Sequence, residues 1–189
     1  MLSERLTIDE GRRAVETGGE RNLRSVYRGS EARGIEDDNE LWAGHIEGAG
    51  AECAVGKALG IPWQAGVDEF GEPDVGPYHV RQTPKRHGYL IIRPKDNDDE
   101  IFILATGRIP LFQIVGWLTP REARELVTPT SRNGRPPACF VEQGYLHPMS
   151  ELPSEEEARS RLKSRDFPDK ESEDGYTHAL GREARHEEM

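Results

Sequence analysis

Two cysteines in 189 residues, Cys53 and Cys139, leave no material for a disulfide framework or a Cys-rich zinc site. Cys53 lies within a predicted helix and Cys139 in an apolar strand, and both read as small buried hydrophobes. Long hydrophobic runs are missing too. No stretch approaches the roughly 20 apolar residues of a membrane span, and no apolar segment follows a basic start as in a secretory leader. The expectation is a cytoplasmic protein with no membrane partner. Cations are in deficit, with 25 Lys and Arg against 35 Asp and Glu and a net charge of −10. That balance argues against coating nucleic acid through bulk electrostatics. Hydrophobic residues make up only 34% of the chain and charged residues 32%, enough for one modest core and hardly for two.

What is present divides the chain into three parts: an N-terminal helical extension over 1–40, an α/β core over 41–150, and a charged helix with a disordered acidic tail over 151–189. From Thr7 to about Arg28 the apolar spacing predicts a helix or two, with Asp9 as a cap and Gly18-Gly19 as a weak point or break. Gly29 to Asn39 reads as a charged loop. Leu41 to Leu59 predicts a helix whose Gly44, Gly48, Gly50 and Gly56 suit close approach to a sheet. Tyr78 to Thr83 alternates, with Tyr78, Val80 and Gln82 on one face and His79, Arg81 and Thr83 on the other. Tyr89 to Ile92 and Ile101 to Ala105 are continuous apolar runs, expected to be covered on both faces and joined as a hairpin by the acidic loop Lys95 to Glu100. Leu111 to Leu118 predicts another strand, Thr119-Pro120 a capped helix start, and Pro137 to Val141 a last short strand. Ser154 and Glu157 have capping-box spacing. From Phe167 onward charge and Gly dominate with little to bury.

The chemistry-bearing residues lie between Leu41 and Thr83. Glu52 stands on a helix of small residues, Asp74 in the turn Pro73-Asp74-Val75-Gly76, and His79 and Arg81 on the strand that follows. In this order the sequence resembles the PD-(D/E)XK nuclease superfamily, whose core has a helix bearing Glu, a strand ending in Asp and a strand reading acid-x-Lys. The resemblance covers about Leu41 to Glu125 and is nearest to phage-type members with an Asp-Val-Gly turn leading to a strand ending Val-Arg. It implies a restriction-endonuclease-like α/β fold, a single domain with a mixed central sheet flanked by helices. It also implies a divalent metal, Mg²⁺ or Mn²⁺. Asp74 and His79 would be ligands, Val80 a carbonyl donor, Glu52 the accessory helix acid and Arg81 the substitute for Lys.

Two residues depart from that pattern. His79 stands where the second acid belongs; neutral imidazole removes a negative charge and favours softer ions such as Mn²⁺. Arg81 holds its proton too tightly to serve as a general base, though it can stabilise charge. Any hydrolysis is therefore expected to be weak or Mn²⁺-dependent. Lys85, Arg86 and Arg93 fall in a segment free of acids and are the candidate DNA contacts. Each residue also has a plainer reading: Asp74 as turn chemistry, Glu52 as a helix acid that needs a partner if buried, His79 and Arg81 as solvent-facing strand residues. Gly50 to Ala58 is not a phosphate loop, because five residues separate Gly50 from Gly56 and Ala58 lacks a hydroxyl. His45, Cys53, Cys139 and His147 lack zinc-site spacing. Trp63, Trp117 and Phe112 read as core aromatics. Three functions remain: a nuclease-like protein that binds or cuts DNA, an inactive acidic protein that engages a protein partner, for example as a DNA mimic, or a structural or assembly role with no site. The oligomeric state is open.

Overall fold

The structure, a computed structural model, describes residues 1–28, 38–67, 71–132 and 136–163. The charged loop expected after Gly29 falls almost wholly outside the described residues, and the tail expected after Phe167 entirely so. Four strands form a mixed sheet in the order β1-β5-β4-β2. They are β1 (Leu2–Arg5), β2 (Tyr78–Thr83), β4 (Ile101–Arg108) and β5 (Leu111–Leu118). β4 pairs with β5 antiparallel and with β2 parallel, and β1 closes the other edge antiparallel to β5. A mixed α/β architecture with helices flanking a mixed sheet is thus present.

Two helices cover one face. α1 (Ile8–Tyr27) starts with a full capping box in which Thr7 and Glu10 satisfy each other's backbone amides. The cap is Thr7, not Asp9, and the helix is unbroken. Gly18 does not interrupt it because a Cβ there would sit 2.4 Å from the Ile46 Cα, so glycine lets α1 lie against the backbone of α2 (Asp38–Leu59). α2 is sandwiched between α1 and the sheet. That position explains its lack of a polar stripe: Ala49, Ala51, Ala54 and Val55 are all buried. They form one core with Val80, Ile101, Ile103, Phe112 and Ile114.

The other face carries a second core. Phe102, Leu104 and Leu118 pack against Leu90, Ile92, Cys139 and Val141. The expected hairpin from β3 (Leu90–Ile92) to β4 does not form; β3 pairs antiparallel with β6 (Cys139–Val141) in a separate two-stranded sheet. The acidic loop explains why. Asp96 accepts from the Arg93 amide at 2.8 Å, and Arg124 of α3 (Pro120–Leu126) binds the carbonyls of Arg93, Pro94 and Asp96. The chain is therefore turned out of the main sheet after Ile92. The run from Tyr89 is also covered on one face only, since Tyr89 and Ile91 are 37% and 36% exposed. Ile101 to Ala105 is buried throughout, and the faces of β2 alternate as read from its sequence. Thr119 caps α3 with Pro120 in its first turn, and Ser154 and Glu157 complete their box at α4 (Glu155–Lys163).

Candidate functional site

β2 is the terminal strand of its sheet, so one of its edges faces away from β4. The turn before it folds back onto that edge. Asp74 and Val75 amides bond the Tyr78 carbonyl, Gly76 takes a φ of +56° that suits glycine, and the Asp74 carboxylate accepts from the Val80 amide at 2.7 Å. The N–H and C=O of one strand residue point to the same side, so the Val80 carbonyl also faces the open edge. Asp74 and Val80 are thus adjacent on that edge.

Glu52 approaches from the helical side and is held there. It is buried, and the Arg21 guanidinium grips it with two bonds of 2.6 and 2.8 Å. The Trp63 indole donates a third at 3.0 Å. Burial pushes the Glu52 carboxyl above its ordinary range, the Arg21 bonds oppose that shift, and the charge of Asp74 adds to it. Arg21 is itself fixed by a 2.8 Å bond to the Gly66 carbonyl.

His79 and Arg81 project to the opposite face. The His79 ring stacks on Phe102 with centroids 4.7 Å apart. It is buried between two acids: Nδ1 lies 3.9 Å from Asp74, and Nε2, which has no hydrogen-bond partner among the described residues, lies 3.6 Å from Glu100. Neither distance is a hydrogen bond. Arg81 lies over the same Phe102 ring at 4.6 Å and pairs with Asp96 at 3.2 Å. His79 is buried against the second core and Arg81 is half-buried on the same ring, so neither is the solvent-facing group of the plain reading.

Asp74 is therefore a pivot, with Glu52 on one side of the sheet and His79 on the other. Among the described residues no group of three or more His, Cys, Asp and Glu side chains is arranged to hold a metal ion. Glu52 is ligated by a cation, and Asp74 by a backbone amide. As arranged, these residues do not fit a divalent ion. The candidate DNA contacts lie elsewhere. Lys85 and Arg86 follow the C-terminal end of β2, which a six-residue strand places roughly 20 Å from its start. Arg93 is exposed on the turn after β3, close to Arg81 through their shared partner Asp96.

Sequence reasoning missed Arg21, Asp96 and Glu100 as partners. A buried Glu52 signals the need for a counter-charge, but nothing local names a residue 31 positions away. Among the described residues no helix is long and apolar enough to cross a membrane. Comparison with known proteins finds no matching family, curated protein or solved structure. The likeness to PD-(D/E)XK nucleases rests on the residues of this chain alone.

Proposed function

We propose that this protein binds DNA on a nuclease-like scaffold without cutting it. The observation that carries the reading is the contrast between two sets of cations. Arg21 and Arg81, beside the would-be metal corner, are paired with Glu52 and Asp96. Lys85 and Arg86 are exposed and have no ion pair among the described residues. Cations that are not neutralised from within are available to phosphates, whereas a corner closed by internal pairs has neither the ligands nor the loose cation that metal-assisted hydrolysis requires.

Fluorescence anisotropy with labelled DNA tests both halves. Wild type should bind with a steep salt dependence, and Lys85→Ala/Arg86→Ala should weaken binding and flatten that dependence. Incubation with Mg²⁺ or Mn²⁺ should give no cleaved product. Binding indifferent to the double substitution would overturn the interface, and cleavage abolished by Asp74→Ala would overturn the non-cutting assignment.

A second reading, engagement of a protein partner, is favoured by a different surface. Ile8, Val15, Leu23 and Val26 fall on one face of α1 and are 84%, 48%, 44% and 57% exposed. An apolar dye such as ANS should light up on the native protein and lose its signal in Leu23→Glu/Val26→Glu; an unchanged signal removes the support for this reading.

A further inference from the structure

The free cations after β2 adjoin two features that the DNA-binding reading does not yet use. The first is a half-open hollow of about 440 Å³. Pro84 and Leu111 give it apolar surface, Arg86 and His87 line it with nitrogen donors, and Gln113 and Gln143 contribute amides. Those amides are oriented. Gln113 donates to Ser3 Oγ at 3.0 Å, and Gln143 donates to the Arg86 and Gly88 carbonyls at 2.9 and 3.0 Å. Among the described residues each amide carbonyl is left as an acceptor. A hollow with apolar walls and a few fixed polar groups suits a flat heterocycle better than a bare phosphate.

The second feature begins two residues further along. Tyr89 meets Phe140 edge-to-face at 6.3 Å, and the Arg132 guanidinium covers the pair at 5.1 and 4.0 Å from their centroids. Tyr89 is 37% exposed on the outer face of the β3–β6 sheet. Along 80–93 and 136–147, which build most of this surface, the sole acid is Glu142. Cations interleaved with exposed aromatics and an apolar hollow are what a strand of unpaired bases needs, because each base must find a new stacking partner and each phosphate a counter-charge.

We infer that this surface is a track for single-stranded DNA. One base enters the hollow over Leu111, a neighbouring base stacks on Tyr89, and Lys85, Arg86 and Arg132 meet the phosphates. The inference rests on the DNA-binding reading and names its substrate. A duplex keeps its bases stacked on one another and offers this surface only its phosphates.

The test is anisotropy with one labelled oligonucleotide, single-stranded or annealed to its complement, at fixed salt. Wild type should prefer the single strand by about tenfold or more, and Tyr89→Leu should lower single-strand affinity by about tenfold with little effect on the duplex. Tyr89→Phe, which keeps the ring, should stay within about twofold of wild type. Leu111→Thr should weaken the single strand alone. Equal binding of both forms, or single-strand binding unchanged in Tyr89→Leu, overturns the single-strand track and leaves the DNA-binding reading standing. No binding of either form overturns both.

Discussion

Removing Arg21 offers the sharpest test of the claim that Glu52 belongs to the architecture and not to catalysis. The side chains of the pair are 21% and 8% exposed, and Arg21→Met leaves the buried carboxylate with only the Trp63 N–H. An uncompensated buried charge costs about 3–5 kcal/mol, and the partial exposure of Arg21 places this case near about 3. Glu52→Met strands a guanidinium that keeps its Gly66 bond and some solvent, together with an orphaned indole donor. That combination should cost about 2 kcal/mol. In the double variant both charges are gone, the indole is unsatisfied and the Gly66 carbonyl, only half-buried, turns to solvent, so the loss should be about 1 kcal/mol where simple addition gives about 5, a coupling of about 4. Urea unfolding followed by tryptophan fluorescence reads all four proteins, with the slope unchanged if the native state stays intact. The sign with pH is also fixed. Without Arg21 the Glu52 carboxyl is raised further, and a raised acid loses folded-state stability as pH rises through its folded value. The Arg21→Met deficit should therefore shrink as pH falls toward the ordinary glutamate range. A single-variant loss under about 1 kcal/mol, or a double variant no better than Arg21→Met, would refute the reasoning.

The acids of the three capping boxes, Glu10, Glu122 and Glu157, are all held below the ordinary glutamate range. For Glu10 and Glu157 the main cause is a backbone amide bond from Thr7 and Ser154; for Glu122 burial acts the other way, and the bonds from Thr119 and His147 outweigh it. Depressed acids give stability that is present above their unfolded values and lost as pH falls through their folded ones, so helical circular dichroism should decline below about pH 4, and earlier for Glu10→Gln. Thr7→Ala should cost about 1 kcal/mol in urea unfolding. Gly18→Ala should destabilise by about 1–3 kcal/mol despite alanine's helix preference, because its methyl meets the α2 backbone; a more stable variant would show that the helices separate freely. Arg124→Met removes the donor to three loop carbonyls, and hydrogen exchange of the 93–98 amides should accelerate while β4 and β5 stay protected.

Much of the scaffold was legible in the chain because its causes are local. Alternation assigned the faces of β2, Thr119 before Pro120 located the start of α3, and hydroxyl-to-glutamate spacing located the cap of α4. The failures are the places where a distant segment decides. Gly18-Gly19 reads as a breaker until α2 is laid against it. Leu90 to Ile92 reads as half of a hairpin until Arg124 gathers the carbonyls that follow. β1, with one leucine in four residues, has no pattern of its own and is a strand because β5 offers it a ladder. At the candidate site the same division holds. Asp74 beside Val80 follows from six residues of chain, whereas the cation that closes Glu52 and the aromatic ring beneath His79 come from elements that no spacing rule connects.

The bond from Asp74 to the Val80 amide has a consequence for any use of Asp74 as a knock-out position. A terminal strand with an unsatisfied amide invites another chain to dock alongside it, and the Asp74 carboxylate occupies that position as a built-in stopper. An alanine at 74 would uncork the sheet and promote sticking between molecules. Activity lost in that variant carries meaning only when light scattering shows that it has stayed as dispersed as the wild type.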